Sequence, residues 1–224
     1  MILSIETATS NCSVALHSLE GELLLVEERD EPNIHASKLF VFIKSVLEKN
    51  SIASLKAIAV SKGPGSYTGL RIGVSAAKGL CYGLDLPLIA INTLQGIAHA
   101  ASNLISEDAL LIPMIDARRM EVYNAIFDHK LNEVNATCAT ILNETSFVKY
   151  LSKPCYFLGD GMPKCKEVLS IHKNAFFIDD IKASAKAIGA LAVAKYKNGQ
   201  FEDLAYFEPY YLKEFVTQST FHTK

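Results

Sequence analysis

The residues best suited to chemistry form one block, "SKGPGSYTGLRIG", from Ser61 to Gly73. Ser61, Gly63, Pro64, Gly65, Ser66, Tyr67, Thr68, Gly69 and Arg71 combine glycines, hydroxyls and a guanidinium, the materials of a phosphate cradle. Spacing removes three enzymatic versions of it. A P-loop needs G-x-x-x-x-G-K-[ST], and no lysine holds that place. A dinucleotide loop needs G-x-G-x-x-G, and the run from Gly63 to Gly69 is one residue too long. A G-x-S-x-G elbow fails because Pro64 stands two before Ser66. A sharp strand-to-helix turn remains, with Pro64 fixing φ and Gly65 free to take positive φ. The N–H groups of Ser66 to Gly69 would then point outward as a general anion site, or Ser66 or Thr68 would cap the helix.

The other reactive side chains assemble nothing. Cys12, Cys81, Cys138, Cys155 and Cys165 are odd in number with no C-x-x-C pair, which suits a reduced cytosolic chain without structural zinc. His17, His35, His99, His129, His172 and His222 contain no pair at ligand spacing, so no metal is expected. A peptidase would need an activated nucleophile or a metal, and neither can be built.

The elements that must position the block follow from hydrophobic pattern. "MILSIE", "CSVALHS" and "ELLLVEE" read as three strands, with Glu20-Gly21 at the second turn. A helix from His35, the strand "LKAIAVS", the block and a helix over Leu70 to Leu84 come next. The strand "LPLIAI" leads to a helix from Thr93 to Ser102, capped by Asn92 or Thr93. The second half repeats the order at an offset of 110, which places Glu6 on Asp116, Ala15 on Ala125 and Leu16 on Ile126. "ALLIPMID", "EVYNAIF" and "NEVNATCATI" are its strands, followed by a helix near Ser146 to Leu151 and a strand at Cys155 to Leu158. The turn Gly159 to Gly161, a helix, a short strand at Phe176 to Ile178 and a helix over Ala183 to Tyr196 complete it. The expected class is α/β, with domains at 1–105 and 106–224, each a mixed sheet flanked by helices.

A net charge of −2 argues against a chain that binds nucleic acid alone. With no basic n-region and no long apolar h-region, "MILSIETATS" is not expected to be a signal peptide, and the chain is expected in the cytoplasm. Leu86 to Ser106 lacks charged residues but contains Pro87, Asn92, Gln95 and Asn103, so it reads as strand and helix rather than a membrane span.

Two helices carry more apolar surface than one sheet needs. On the first, Ala36, Leu39, Phe40, Ile43, Val46 and Leu47 share a face, Phe42 sits at its edge and Val41 lies outside it. On the second, Gly69, Gly73 and Ala77 form a smooth ridge beside Leu70, and only Arg71 and Lys78 are charged, seven apart on one face. Each helical glycine costs about 0.8–1 kcal/mol against alanine, so something must offset it. A subunit interface through Ala36, Leu39, Phe40, Phe42, Ile43, Val46, Gly69, Leu70, Gly73 and Ala77 explains this, and so does a well-filled intramolecular core.

"IETATSNCSVAL", "SKGPGSYTGLRIG", "DARRMEVYNAIF" at Asp116 and "PYYLKEF" at Pro209 to Phe215 together resemble the TsaB family, in the right order and over essentially the whole chain. The resemblance implies a duplicated actin-like (ribonuclease H-like) fold. It implies an accessory, non-catalytic subunit that dimerises with TsaD through N-terminal-domain helices. TsaD places a threonylcarbamoyl group on the adenosine 3′ of the anticodon in ANN-decoding tRNAs, and TsaE, an ATPase, completes the set. No cofactor is implied for the chain itself, tRNA would be met only through the complex, ATP would act at the level of the complex, and self-association without the partner stays open. The catalytic paralogue binds metal through a His-x-x-x-His pair, and here His35 is followed by Leu39. Tyr67 stands where phenylalanine is common and Lys213 where arginine is common. An actin-like cleft would place Glu6, Thr7, Asp116, Arg118, Arg119 and Asp160 near a nucleotide, the arginines binding phosphate or pairing with acids on a partner. The alternative function on this fold is an actin-like ATPase or small-molecule kinase.

Overall fold

The computed structural model describes residues 1–48 and 50–213. Glu214 and Phe215 of the C-terminal signature, and His222, lie outside the described residues.

The chain builds two five-stranded mixed sheets. The first contains β1 (Ile2–Glu6), β2 (Asn11–His17), β3 (Leu23–Asp30), β4 (Ala57–Gly63) and β5 (Leu88–Asn92), in the order β3-β2-β1-β4-β5. The second contains β6 (Leu110–Asp116), β7 (Glu121–Asp128), β8 (Glu133–Ile141), β9 (Cys155–Leu158) and β10 (Ala175–Ile178), in the order β8-β7-β6-β9-β10. The order is the same in both, with antiparallel hairpins on one side of the first strand and parallel strands on the other. Glu6 and Asp116 end β1 and β6 in turn, as the offset of 110 requires.

Helices α1 (His35–Glu48) and α2 (Tyr67–Leu84) cover one face of the first sheet, burying Leu3, Ile5, Val14, Ile58 and Val60 with Leu39, Ile43, Val46, Val74 and Ala77. Helix α4 (Met162–Leu169) covers one face of the second around Phe157 and Met114. Asn92 caps α3 (Thr93–Ala101) by accepting from the N–H groups of Leu94 and Gln95. The remaining faces are covered by exchange. Helix α3, from the first half, packs Leu94, Ile97 and Ala98 on Leu111, Ile115 and Phe127 of the second sheet. Helix α5 (Ala185–Lys197), from the second half, packs Ile188, Ala192 and Val193 on Ile2, Ala59 and Ile91 of the first. Its N-terminus is anchored by Ser13 Oγ accepting from Ala185 N–H at 2.9 Å and by Ser4 Oγ donating to Ala185 O at 2.8 Å. The strands do divide between Asn92 and Leu110, but a cut at 105/106 would strip each sheet of one helix.

One expected helix is absent. Between Asn143 and Leu151 only a 3-10 turn forms, over Val148–Tyr150. Asn143 Oδ1 accepts from Thr145 N–H at 2.9 Å and Ser146 Oγ accepts from Asn143 N–H at 2.9 Å, so side chains take the backbone partners that a helix would use.

Candidate functional site

The glycine block starts where β4 ends. Gly63 has φ of +112° and precedes a cis peptide bond to Pro64. The positive φ thus falls at Gly63, not Gly65. Gly65 is needed for a different reason: it lies on the Ala8 carbonyl, where a Cβ would overlap the backbone. Ser66 caps α2 by accepting from Gly69 N–H at 3.2 Å, and Ser66 N–H donates to Ala8 O at 2.7 Å. Two of the four N–H groups read as an anion site are therefore engaged within the chain.

The turn after β1 is bolted to this block. Thr7 Oγ1 donates to Gly69 O at 2.8 Å. Glu6 is fully enclosed, and its Oε1 accepts from Ala8 N–H at 2.5 Å and from Ser61 Oγ at 2.9 Å. Burial pushes its pKa up to about 7, against the pull of those hydrogen bonds. Its Oε2 has no partner among the described residues. Glu6 and Thr7 thus support the block from beneath, buried and not among the residues that line the neighbouring cleft.

A cleft of about 770 Å³ does open between the two sheets' loops. Asp116, Arg118 and Asp160 line it, as the sequence suggested, while Arg119 does not. Asp160 Oδ1 accepts from Asp116 N–H at 3.0 Å, and Asp116 Oδ1 accepts from Arg118 N–H at 2.6 Å and from Lys164 Nζ at 2.5 Å. Asp116 already has a cation beside it. Among the described residues no group of three or more His, Cys, Asp or Glu side chains is arranged to hold a metal ion. His35 also lines the cleft, buried, with Nε2 unpartnered and its pKa lowered by burial. Burial pushes the thiols of Cys12 and Cys155 up to about 11 and those of Cys81 and Cys165 to about 12, far from a ready nucleophile.

Sequence reasoning missed one wall of the cleft. Tyr210, Tyr211, Leu212 and Lys213 form it, after the chain has returned along α2. The signal was there in Arg71 and Lys78, two cations isolated on one face of an apolar helix, which hold this returning segment.

The helix surface read as a partner interface is divided by burial. Leu39, Ile43 and Val46 belong to the first core. Gly69, Leu70, Gly73 and Ala77 are also enclosed by the chain itself. A Cβ at Gly69 would overlap the Thr7 carbonyl, and one at Gly73 the Thr7 hydroxyl, so this ridge serves an internal contact and not a subunit contact. Ala36 is exposed and Phe42 half-buried. The exposed apolar residues are Phe40 at 60% and Val41 at 55% on α1 and Tyr82 at 85% on α2, where a Cβ at Gly79 or Gly83 would meet nothing within 4 Å. Val41, placed outside the apolar face from periodicity, is exposed while Leu39, Ile43 and Val46 of that face are buried. No described helix is long and apolar enough to cross a membrane.

A family model described as TsaD, tRNA N6-adenosine threonylcarbamoyltransferase, matches residues 32–213. The tRNA threonylcarbamoyladenosine biosynthesis protein TsaB of Bacillus subtilis (strain 168) is 30% identical over 200 residues, covering 85% of this chain and 80% of that protein. The solved structure of YeaZ from Pseudomonas aeruginosa superposes with a TM-score of 0.81 at 24% identity, covering 94% of this chain and 99% of that one. The activator of 2-hydroxyisocaproyl-CoA dehydratase from Clostridium difficile, solved with ADPNP bound, superposes with a TM-score of 0.50 at 10% identity, covering 88% and 95%. These likenesses and the repeated strand order make the fold the duplicated actin-like one.

Proposed function

The chain belongs to the TsaB family, and from that premise we propose that it is the accessory, non-catalytic subunit of the machinery that adds threonylcarbamoyl to the adenosine 3′ of the anticodon in ANN-decoding tRNAs. It docks on TsaD through the open strip of α1 and α2, works with TsaE in the cytoplasm, and meets tRNA only through the complex. The observations that carry this reading are Phe40 and Val41, exposed on α1, and Tyr82, exposed on α2 next to two helical glycines with open space above them. Exposed glycines lower a helix's stability and let another backbone approach closely, which suits a docking surface and nothing inside this chain.

The alternative, an ATPase or small-molecule kinase, would use the cleft. It is supported by Asp116, Asp160 and Arg118 lining that space. Against it stand the buried Glu6, the Lys164 already beside Asp116, and the block's internally engaged N–H groups.

Size-exclusion chromatography with TsaD separates the two. Phe40→Glu and Tyr82→Glu should abolish co-elution while the isolated chain keeps its melting temperature. If both folded variants still co-elute with TsaD, the docking surface is wrong. ATP turnover by the isolated chain that Asp160→Asn removes would instead favour the alternative.

A further inference from the structure

Both cations of α2 hold one returning segment. Lys78 Nζ donates to the carbonyls of Ala205 at 3.3 Å and Phe207 at 2.9 Å. Arg71 Nε donates to the Tyr211 hydroxyl at 3.2 Å, and its guanidinium lies 4.2 Å from the centre of the Tyr67 ring. Tyr67 and Tyr211 themselves pack with ring centres 4.9 Å apart. Between these anchors, Tyr210 N–H donates to Lys62 O at 2.7 Å, and the Tyr210 carbonyl lies so close to Gly63 that a Cβ there would sit 2.6 Å away. Leu204 and Phe207 pack against the first core.

Residues 203–213 are therefore a strap seated on the first sheet's helix and over the glycine block. Its far end leaves that unit. Lys213 pairs with Glu121, the first residue of β7 in the second sheet. The strap thus crosses the mouth of the cleft that it also walls.

The two units are joined in unlike ways, and polar ties such as Asn92 to Thr137 and Lys182 to Asp30 add to the exchanged helices. The exchange of α3 and α5 buries Leu94, Ile97, Ile188 and Ala192 in the opposite unit's sheet, and opening it would expose core. The Lys213–Glu121 pair is partly solvated, with 47% and 18% of the side chains exposed, and opening it exposes only charge.

We propose that residues 203–213 are a latch that sets how far the cleft opens, with Lys213–Glu121 as its catch. When the pair breaks, the strap stays on α2 and the second unit turns away on the exchanged helices. This goes beyond the proposed function, because it concerns the cleft of the isolated chain and holds whichever protein docks.

The test uses the full chain with Cys138→Ser and spin labels at Asn33→Cys and Ala117→Cys, two positions on the cleft wall. The remaining cysteines are buried. Pulsed dipolar spectroscopy should show a longer, broader distance distribution in Lys213→Glu and in Glu121→Lys, and a return to the parent distribution in the charge-swapped double variant. Amide exchange over residues 115–123 should quicken about two- to five-fold in the single variants, the scale of a partly exposed ion pair, and recover in the swap. About 0.5 M salt should move the parent toward the single variants and leave those variants unmoved. Identical distance distributions in the parent and both single variants overturn the latch. So does a swap that fails to restore the parent distribution.

Discussion

The two halves share one strand order and differ in what is laid on it. In the first, α1 and α2 run for 14 and 18 residues and leave Phe40, Val41 and Tyr82 in the open. In the second, the place of α1 is taken by a 3-10 turn of three residues, and α4 has only eight. Both halves turn sharply after the inner parallel strand on a glycine of positive φ, Gly63 at +112° and Gly159 at +97°. Both end the first strand on an acid, but Glu6 is sealed under the glycine block while Asp116 stands exposed beside Lys164. The sheet is thus a frame that either half can build. The helix surface proposed for docking has no counterpart in the second half, because it depends on helix length and on what lies beneath it.

That comparison can be broken at several points, and the largest effects lie in the first unit's interior. Gly69→Val and Gly73→Arg should each destabilise the chain by about 3 kcal/mol or more, since each side chain would enter the space of Thr7. Denaturant unfolding of the isolated chain checks this. A loss of partner binding in Gly73→Arg without loss of stability would show that the ridge faces outward after all.

The next effect follows from Glu6. Its folded pKa is raised from 4.5 to about 7, so the chain is favoured below pH 4.5 on this account, and that contribution fades as pH rises through 7. The shift amounts to roughly 3 kcal/mol between those limits. His17, His35 and His99 have lowered pKa values from burial, so they act oppositely and cost stability as pH falls below 6.5. Stability should peak near pH 6.5, where the histidine limb ends, and Glu6→Gln should remove the alkaline limb toward pH 7 and steepen the rise below 6.5, where the two contributions overlap. A melting series from pH 5 to 8.5 reads both limbs. An unchanged alkaline limb in Glu6→Gln would place the titration elsewhere.

A smaller effect separates the docking strip from the frame. Tyr82→Ala should weaken the complex with TsaD about ten-fold or more, the behaviour of an aromatic anchor, with the melting temperature held. Ile171→Ala, at an equally open apolar site of the second unit, 78% exposed, should leave affinity unchanged in titration calorimetry. Equal losses at both sites would make the second unit a contact surface too.

The smallest effect is the most diagnostic. Gly79→Ala should stabilise the isolated chain by about 0.8–1 kcal/mol, as for any open helical glycine, and yet weaken the complex. A variant that stabilises the chain and leaves the complex intact would remove the need for close approach at Gly79.

Much of this was legible before any coordinates. The apolar runs fixed where the strands lie, the offset of 110 located the repeat, and Asn92 and Ser66 could be read as caps because their side chains act on neighbours a few residues away. The spacing within Ser61 to Gly73 excluded three phosphate loops by itself. These are local properties, set within a turn or a strand.

Tertiary structure decided the rest. No pattern along the chain shows that α3 and α5 change places, since either sheet presents the same apolar face to a helix. Gly69 and Gly73 read alike as an outer ridge or an inner one, and the choice fell to Thr7, 62 residues from Gly69 and placed beside it only by the pairing of β1 with β4. Glu6 and Asp116 hold equivalent positions in the repeat, yet one is a buried acid and the other a solvated one, because only the first lies under a closed turn. Arg71 and Lys78 are two charges on an apolar helix in sequence and the seat of a strap in space, as their partners arrive more than 120 residues later.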